Sequence, residues 1–303
     1  MGEGIVFPSL FLLHERCSVR GGSGRTNRED SDVDGHQKEV ESGQRFRFGD
    51  NWARFLYVLN ERRIAMAEES LKQMLGVENL VGKTFVDVGS GSGLFSLAAR
   101  RLHARVHSFD YDPLSVACTG ELRRRYFPDD HDWLVEEGSA LDSGYLSRLG
   151  TFDVVYSWGV LHHTGDMWSA LQNVRRLVAQ NGLLFVAIYN DQGLLSKYWK
   201  SVKRLYNRNW VGRLIMGAVH LPYLYFLRAL VRALSGKRDL DRGMDLWRDA
   251  LDWLGGFPFE VAKPEQVFDF FCDRDFVLRR LKTCQGRMGC NEFVFSRNSN
   301  EGL

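Results

Sequence analysis

Residues 84–113 read T-F-V-D-V-G-S-G-S-G-L-F-S-L-A-A-R-R-L-H-A-R-V-H-S-F-D-Y-D-P, and the fold turns on how this stretch is read. Phe85-Val86-Asp87-Val88 is apolar and β-branched around one carboxylate, the pattern of a short buried strand. Gly89, Gly91 and Gly93 follow at alternate positions, where they let the chain turn tightly and keep Cβ atoms away from a ligand. Leu94 to Leu102 has helical spacing, and Val106 to Asp110 is a second strand ending in an acid. A strand, a glycine turn, a helix and an acid about twenty residues further on make the first half of a nucleoside-binding α/β sheet. The dinucleotide spacing is not met, because the sixth position from Gly89 is Leu94 and from Gly91 is Ser96. A nicotinamide oxidoreductase is therefore disfavoured.

The run Asp87-x-Gly89-x-Gly91-x-Gly93 resembles motif I of the class I S-adenosylmethionine (SAM) methyltransferases. The resemblance implies a Rossmann-like, seven-stranded, mostly parallel α/β sheet with a C-terminal antiparallel hairpin. It also implies SAM as cofactor and S-adenosyl-L-homocysteine as product. Asp87 would orient the methionine end, and Asp110 would take both ribose hydroxyls, as a carboxylate with two acceptor oxygens can. Gly89, Gly91, Gly93, Tyr111, Ser139, Ala140 and Trp158 complete the implied cofactor contacts. Ser139 stands where the family often has Asp, and Asp142 is either an adenine contact or a helix cap.

Composition limits the alternatives. The 303 residues can bury a full core, and 44% apolar with 26% charged residues is ordinary for a globular chain. A net charge of +2 gives no argument for nucleic acid. Cysteines 17, 118, 272, 284 and 290 are odd in number and scattered, which favours reduced thiols and a cytoplasmic setting. Ile5–Leu13 is apolar but too short for a spanning helix and lacks signal-peptide features. Residues 18–44 are polar and glycine-rich, so disorder is expected through residue 44, with the folded domain over 45–297 and a flexible tail over 298–303.

Helices are predicted from about Ala53 to Val58 and from Glu61 to Leu75, the second with Ile64, Ala67, Leu71 and Met74 on one face. Phe48, Asn51 and Trp52 are lid candidates. Leu114–Tyr126 is helical, Trp133–Glu136 and Phe152–Ser157 are strands, and a helix is predicted over Met167–Val178. A strand over Gly182–Tyr189, a helix over Pro264–Cys272 and strands over Phe276–Leu281 and Asn291–Arg297 follow. Residues 194–257 form an insertion expected to be a helical cap. From Gln192 to Arg238 it holds ten Lys or Arg and no acid, while 239–252 is strongly acidic. The basic run suits an anionic or lipid-linked acceptor, or a peripheral membrane contact through 194–238; a solvated basic face is the plainer reading.

The whole resemblance is similar to the small-molecule, ubiquinone-biosynthesis-like O-methyltransferase group. Those enzymes carry Glu-x-x-Glu-His after the fourth strand, whereas the matching positions here are Gly159, His162 and His163. Only the histidine survives, so a divalent metal and a quinol acceptor lose support, and no metal is expected. Trp158, His162, His163, Tyr189, Asn190 and Asp191 should converge beyond the strand ends. A hydroxyl acceptor needs its proton removed, and His163 and then Asp191 are the candidate bases. The function read from sequence is methyl transfer from SAM to a small-molecule, sugar or lipid-linked acceptor at oxygen. A methyltransferase-like protein that binds SAM without turnover is the alternative.

Overall fold

Strands that are apolar on both faces, alternating with one-sided helices, assemble into one seven-stranded sheet of order β3-β2-β1-β4-β5-β7-β6. The computed structural model describes residues 29–235 and 246–298. Expectations for residues 1–28, for the acidic run over 239–245 and for the tail beyond 298 lie outside the described residues.

The chain enters through α1 (Glu29–Glu41), α2 (Gly49–Phe55) and α3 (Glu61–Leu75). The nucleotide-type half follows as β1 (Thr84–Val88), α4 (Leu94–Arg101), β2 (Arg105–Asp110), α5 (Pro113–Tyr126) and β3 (Trp133–Glu137). The second half is α6 (Ser143–Leu149), β4 (Phe152–Trp158), α7 (Met167–Val174) and β5 (Val178–Tyr189). Then come α8 (Leu194–Arg208), α9 (Trp210–Ser235), α10 (Leu246–Gly255), α11 (Pro264–Cys272), β6 (Phe276–Lys282) and β7 (Cys290–Arg297). β1 pairs in parallel with β2 on one side and β4 on the other, so strand order reverses between β1 and β4. A ligand crevice opens beyond the strand ends at such a reversal. β7 runs antiparallel to β5 and β6, which is the expected closing hairpin.

Each face of the sheet buries its own cluster. Val86, Val155, Val186 and Phe293 pack under α7 and α11, while Phe85 and Phe185 meet Leu71 of α3, Leu97 of α4 and Leu122 of α5 on the other face. α3 has the predicted bounds and inward face. Its Asn60 cap accepts the Arg63 amide at 3.1 Å, and Gly76 ends it in the left-handed conformation. α2 starts earlier than its local pattern predicts, because the Gly49 amide is captured by the Asp112 carboxylate at 2.8 Å. α7 ends at Val174 instead of Val178, since Val178 already pairs with Phe152 as the first residue of β5.

Disorder up to Gln44 is corrected over 29–44. α1 is mostly polar, yet it is tied down by tertiary contacts that composition does not reveal. His36 is buried with Nε2 3.8 Å from Asp112 Oδ2, and Glu39 pairs with Arg45 at 2.5 Å. Arg45 in turn donates to the His163 and Thr164 carbonyls at 3.0 and 3.4 Å.

The insertion forms α8, α9 and α10. Trp199, Val202 and Tyr206 of α8 pack on Trp253 and Leu254 of α10 and on Phe259. The buried Lys203 ammonium donates to the Trp253 carbonyl and lies 4.4 and 4.7 Å from the Trp253 and Phe259 ring centroids. Among the described residues no helix is long and apolar enough to cross a membrane, and no disulfide links the cysteines.

Candidate active site

A cavity of about 320 Å³ opens where the strand order reverses, within the usual size range of small-molecule sites. Asp87 and Asp110 both line it, as do Gly89, Gly91, Tyr111, Ser139, Ala140, Trp158 and His163. Nine of the sequence-derived candidates therefore meet in one space.

The glycine turn shapes the floor. The Gly89 and Ser90 amides donate to the Phe109 carbonyl at 2.9 and 3.1 Å, which locks the turn to β2. A Cβ on Gly89 would sit 2.3 Å from Val160 Cγ1, and one on Gly91 would press the Trp52 indole at 3.1 Å. Both glycines have positive φ, so a side chain there is strained as well as crowded. Gly93 is outside the cavity lining. It lets α4 approach α5, since a Cβ would meet the Thr119 backbone at 2.8 Å.

Asp110 spends one lone pair of each oxygen on this turn. Oδ2 accepts the Gly91 amide at 2.8 Å and Oδ1 accepts the Asp112 amide at 2.9 Å. Burial pushes its pKa up to about 6 against those two amides. Asp87 is more deeply set. Burial raises it to about 7, opposed by a 2.5 Å hydrogen bond from Ser96 Oγ and reinforced by the charge of Asp110.

That bond ends a buried chain which no local pattern in the sequence announces. Trp133 Nε1 lies 2.9 Å from Ser108 Oγ, and Ser108 Oγ lies 2.8 Å from Ser96 Oγ. An indole N–H only donates, so Ser108 must pass its own proton toward Ser96, and Ser96 toward Asp87. The whole chain is polarised to stabilise a negative Asp87.

The opposite wall comes from the ends of β4 and β5 and from the polypeptide on either side of the domain. His163 is buried in a short 3₁₀ turn over Leu161–His163, with Phe48 and Tyr189 rings 5.1 and 5.4 Å from its own. Its Nδ1 lies 2.6 Å from the Pro258 carbonyl. A carbonyl only accepts, so Nδ1 carries the proton and Nε2 keeps a lone pair. Burial, then the charge of Lys203, bring its pKa down to about 3. The imidazole is therefore neutral at any working pH. Glu260 fixes the same loop by accepting the Gly165 and Met167 amides, both at 3.1 Å.

Three candidates have other work. Asp191 is not part of the cavity wall; its Oδ1 accepts the Gly193 amide at 2.8 Å and turns the chain into α8. It is withdrawn as a base. His162 is fully buried, and its Nδ1 accepts the Tyr189 amide at 3.3 Å, so it holds the end of β5. Asp142 caps α6 through the Tyr145 amide at 2.9 Å, which decides between its two readings. Of the lid candidates, Phe48 and Trp52 line the cavity and Asn51 is buried beside it. Sequence reasoning missed His36, Arg45 and Trp253, which complete the wall. Among the described residues no group of three or more His, Cys, Asp or Glu is placed to hold a metal ion.

Residues 86–184 match the family model described as a methyltransferase domain. The sheet order and the glycine turn agree with the class I methyltransferase fold that the sequence resemblance implies. Among curated proteins it is 29% identical over 143 residues to a ubiquinone biosynthesis O-methyltransferase of Methylobacterium sp. (strain 4-46), covering 45% of this chain and 55% of that one. A protein of the same description from Pseudomonas paraeruginosa is 32% identical over 113 residues, covering 37% and 46%. The chain thus spans about half the length of the curated relatives it matches. Among solved structures, PKMT2 from Rickettsia typhi in complex with AdoHcy is similar in fold, with TM-score 0.50 and 13% identity over 78% of this chain and 53% of that one.

Proposed function

We propose that this chain binds SAM between β1 and β4 and transfers its methyl group to a hydroxyl oxygen of a small, largely apolar acceptor. The observation that carries this reading is a single cavity with two unlike walls. One part of the lining holds Asp87, Asp110 and the glycine turn; another holds Phe46, Phe48, Tyr189, Trp253 and His163, whose Nε2 keeps a lone pair. The curated relatives are O-methyltransferases, which supports oxygen as the acceptor atom.

The first wall fits a cationic nucleoside. Asp110 retains one free lone pair on each oxygen for two ribose hydroxyls. Asp87 supplies negative charge at the turn, and Gly89 and Gly91 let Val160 and Trp52 close against it, which a Cβ would prevent. When bound, SAM contributes an electrophilic methyl group on a sulfonium centre.

The second wall positions the acceptor. Holding a nucleophile in line and in contact can supply about 7–11 kcal/mol of the barrier. His163 Nε2 accepts a hydrogen bond from the acceptor hydroxyl and so aims an oxygen lone pair at the methyl. A histidine of such low pKa is too weak to ionise an alcohol beforehand. It would be adequate as the O–C bond formed and the S–C bond broke to leave a neutral thioether, because positive charge would then build on the acceptor oxygen and make its proton strongly acidic. The aromatic rings line this space, and Arg45 holds the His163 loop through the carbonyls of residues 163 and 164.

Titration calorimetry with SAM, and mass spectrometry of an extract incubated with enzyme and deuterated-methyl SAM, test the reading. Absence of saturable binding at millimolar SAM defeats it; binding with no labelled product makes the chain a silent binder. His163→Ala is expected to lower turnover about a hundredfold, the low end for acid–base residues, while SAM affinity changes by less than about threefold. Equal loss of both would make His163 a purely structural residue.

A further inference from the structure

The outward face of α9 is the wrong way round for a water-facing helix. Its buried side is turned to α8 and α10, with Leu224 and His220 inside and Tyr198 Oη 2.8 Å from His220 Nε2. The side turned away from the protein carries Trp210, Leu214, Ile215, Val219, Tyr223 and Phe226. Ile215, Val219, Tyr223 and Phe226 follow one another at three or four residues and form one stripe, with Trp210 and Leu214 exposed in the turn before it. Trp210 is 75% exposed, Leu214 63%, Val219 62% and Phe226 74%. Arg213 is the single charged residue between 209 and 227. So large a continuous apolar surface marks an interaction site.

The neighbouring helix says what the stripe meets. α8 packs along α9 and exposes Lys197, Lys200, Arg204 and Arg208 on one face, at the same helical spacing. Leu194 and Leu205 are exposed on α8 as well. We infer that the α8–α9 hairpin is a docking surface for the interface of an anionic lipid bilayer, with α9 lying in the membrane plane and the α8 cations on the headgroups. An apolar stripe bordered by basic residues and supplied with Trp and Tyr is the composition of an interfacial helix. A second copy of the chain fits less well. A two-fold contact would bring two basic faces together, and the run from Gln192 to Arg238 contains no acid to complement them. The inference does not rest on the proposed reaction, since neither helix face belongs to the cavity wall.

Co-sedimentation of the full chain with vesicles tests it. Retention on phosphatidylcholine vesicles containing about 30 mol% phosphatidylglycerol is expected to exceed that on pure phosphatidylcholine at least tenfold, and to fall as salt is raised. Leu214→Asp with Val219→Asp and Phe226→Asp should abolish retention on both. Lys197→Gln with Lys200→Gln and Arg204→Gln should remove only the anionic preference. These positions are exposed, so circular dichroism and melting temperature should match the parent. No retention on anionic vesicles, or equal retention on neutral ones, overturns the inference. So does a lipid-free dimer that the Asp variant dissociates, because the stripe would then be a contact between copies.

Discussion

Asp110→Ala is expected to weaken SAM binding by two orders of magnitude or more. The carboxylate serves two masters at once: each oxygen already takes one backbone amide, from Gly91 at 2.8 Å and from Asp112 at 2.9 Å. Its remaining lone pairs are the acceptors proposed for the ribose. Alanine would leave two amides and two ligand hydroxyls without acceptors. Each such group left buried and unpaired costs about 1–3 kcal/mol, so the two hydroxyls alone at about 2 kcal/mol each would cost roughly a thousandfold. Asp110→Asn separates the roles. It keeps one acceptor oxygen but turns an N–H toward an amide or a hydroxyl, so an intermediate loss is expected. Calorimetry at pH 8 reads both affinities, and far-ultraviolet circular dichroism shows whether the turn survives. An affinity for SAM unchanged in the alanine variant would remove Asp110 from the site.

How much of this was legible in the sequence depends on how local the causes are. β1, its glycine turn and β2 could be read because strand, turn and acid lie within about thirty consecutive residues and each is dictated by its own chemistry. α3 could be read because its stripe, Asn60 cap and Gly76 stop are all local. The polar α1 could not, since what orders it is Asp112, Tyr111 and the carbonyls of residues 163 and 164, more than seventy positions away. Asp191 lies at the end of β5 as its place in the chain implies, but it is not part of the cavity wall. Position follows from strand count, but the direction of a side chain follows from the turn it enters, and here an Asx-type turn to Gly193 claims the carboxylate. The tautomer of His163 was illegible because Pro258, which fixes it, arrives 95 residues later and beyond the insertion. The polarised chain into Asp87 crosses β3, β2 and α4, so its members have no sequence spacing in common.

Asp87 carries the cost of this arrangement, and Asp87→Asn should expose it. Its pKa rises from 3.8 to about 7 in the folded protein, chiefly through burial. A raised folded-state value means that the stabilising contribution is complete below the unfolded pKa near 4. It is lost progressively as pH rises toward 7, since the unfolded chain ionises freely and the folded one resists. The ligand-free protein at pH 8 therefore holds a charge that its fold disfavours, by an amount on the order of 2–4 kcal/mol. Asparagine removes that charge and can still accept the Ser96 hydroxyl through its amide oxygen. The ligand-free variant is expected to melt roughly 4–8 °C above the parent at pH 8, with a gap that narrows at pH 5 and closes near pH 4. Saturating SAM should invert the order at pH 8. The parent gains stability in proportion to the logarithm of ligand over dissociation constant, while the variant, lacking the charge that attracts the cation, gains little. For the same reason SAM affinity of the parent should climb from pH 5 to pH 8 as Asp110 and then Asp87 ionise, and the variant should retain only the Asp110 part of that rise. Scanning calorimetry at the two pH values, with and without SAM, measures every one of these quantities. A ligand-free variant less stable than the parent at pH 8, or one that SAM stabilises equally, would mean that Asp87 is an ordinary packing carboxylate and not the charge against which the sulfonium end is held.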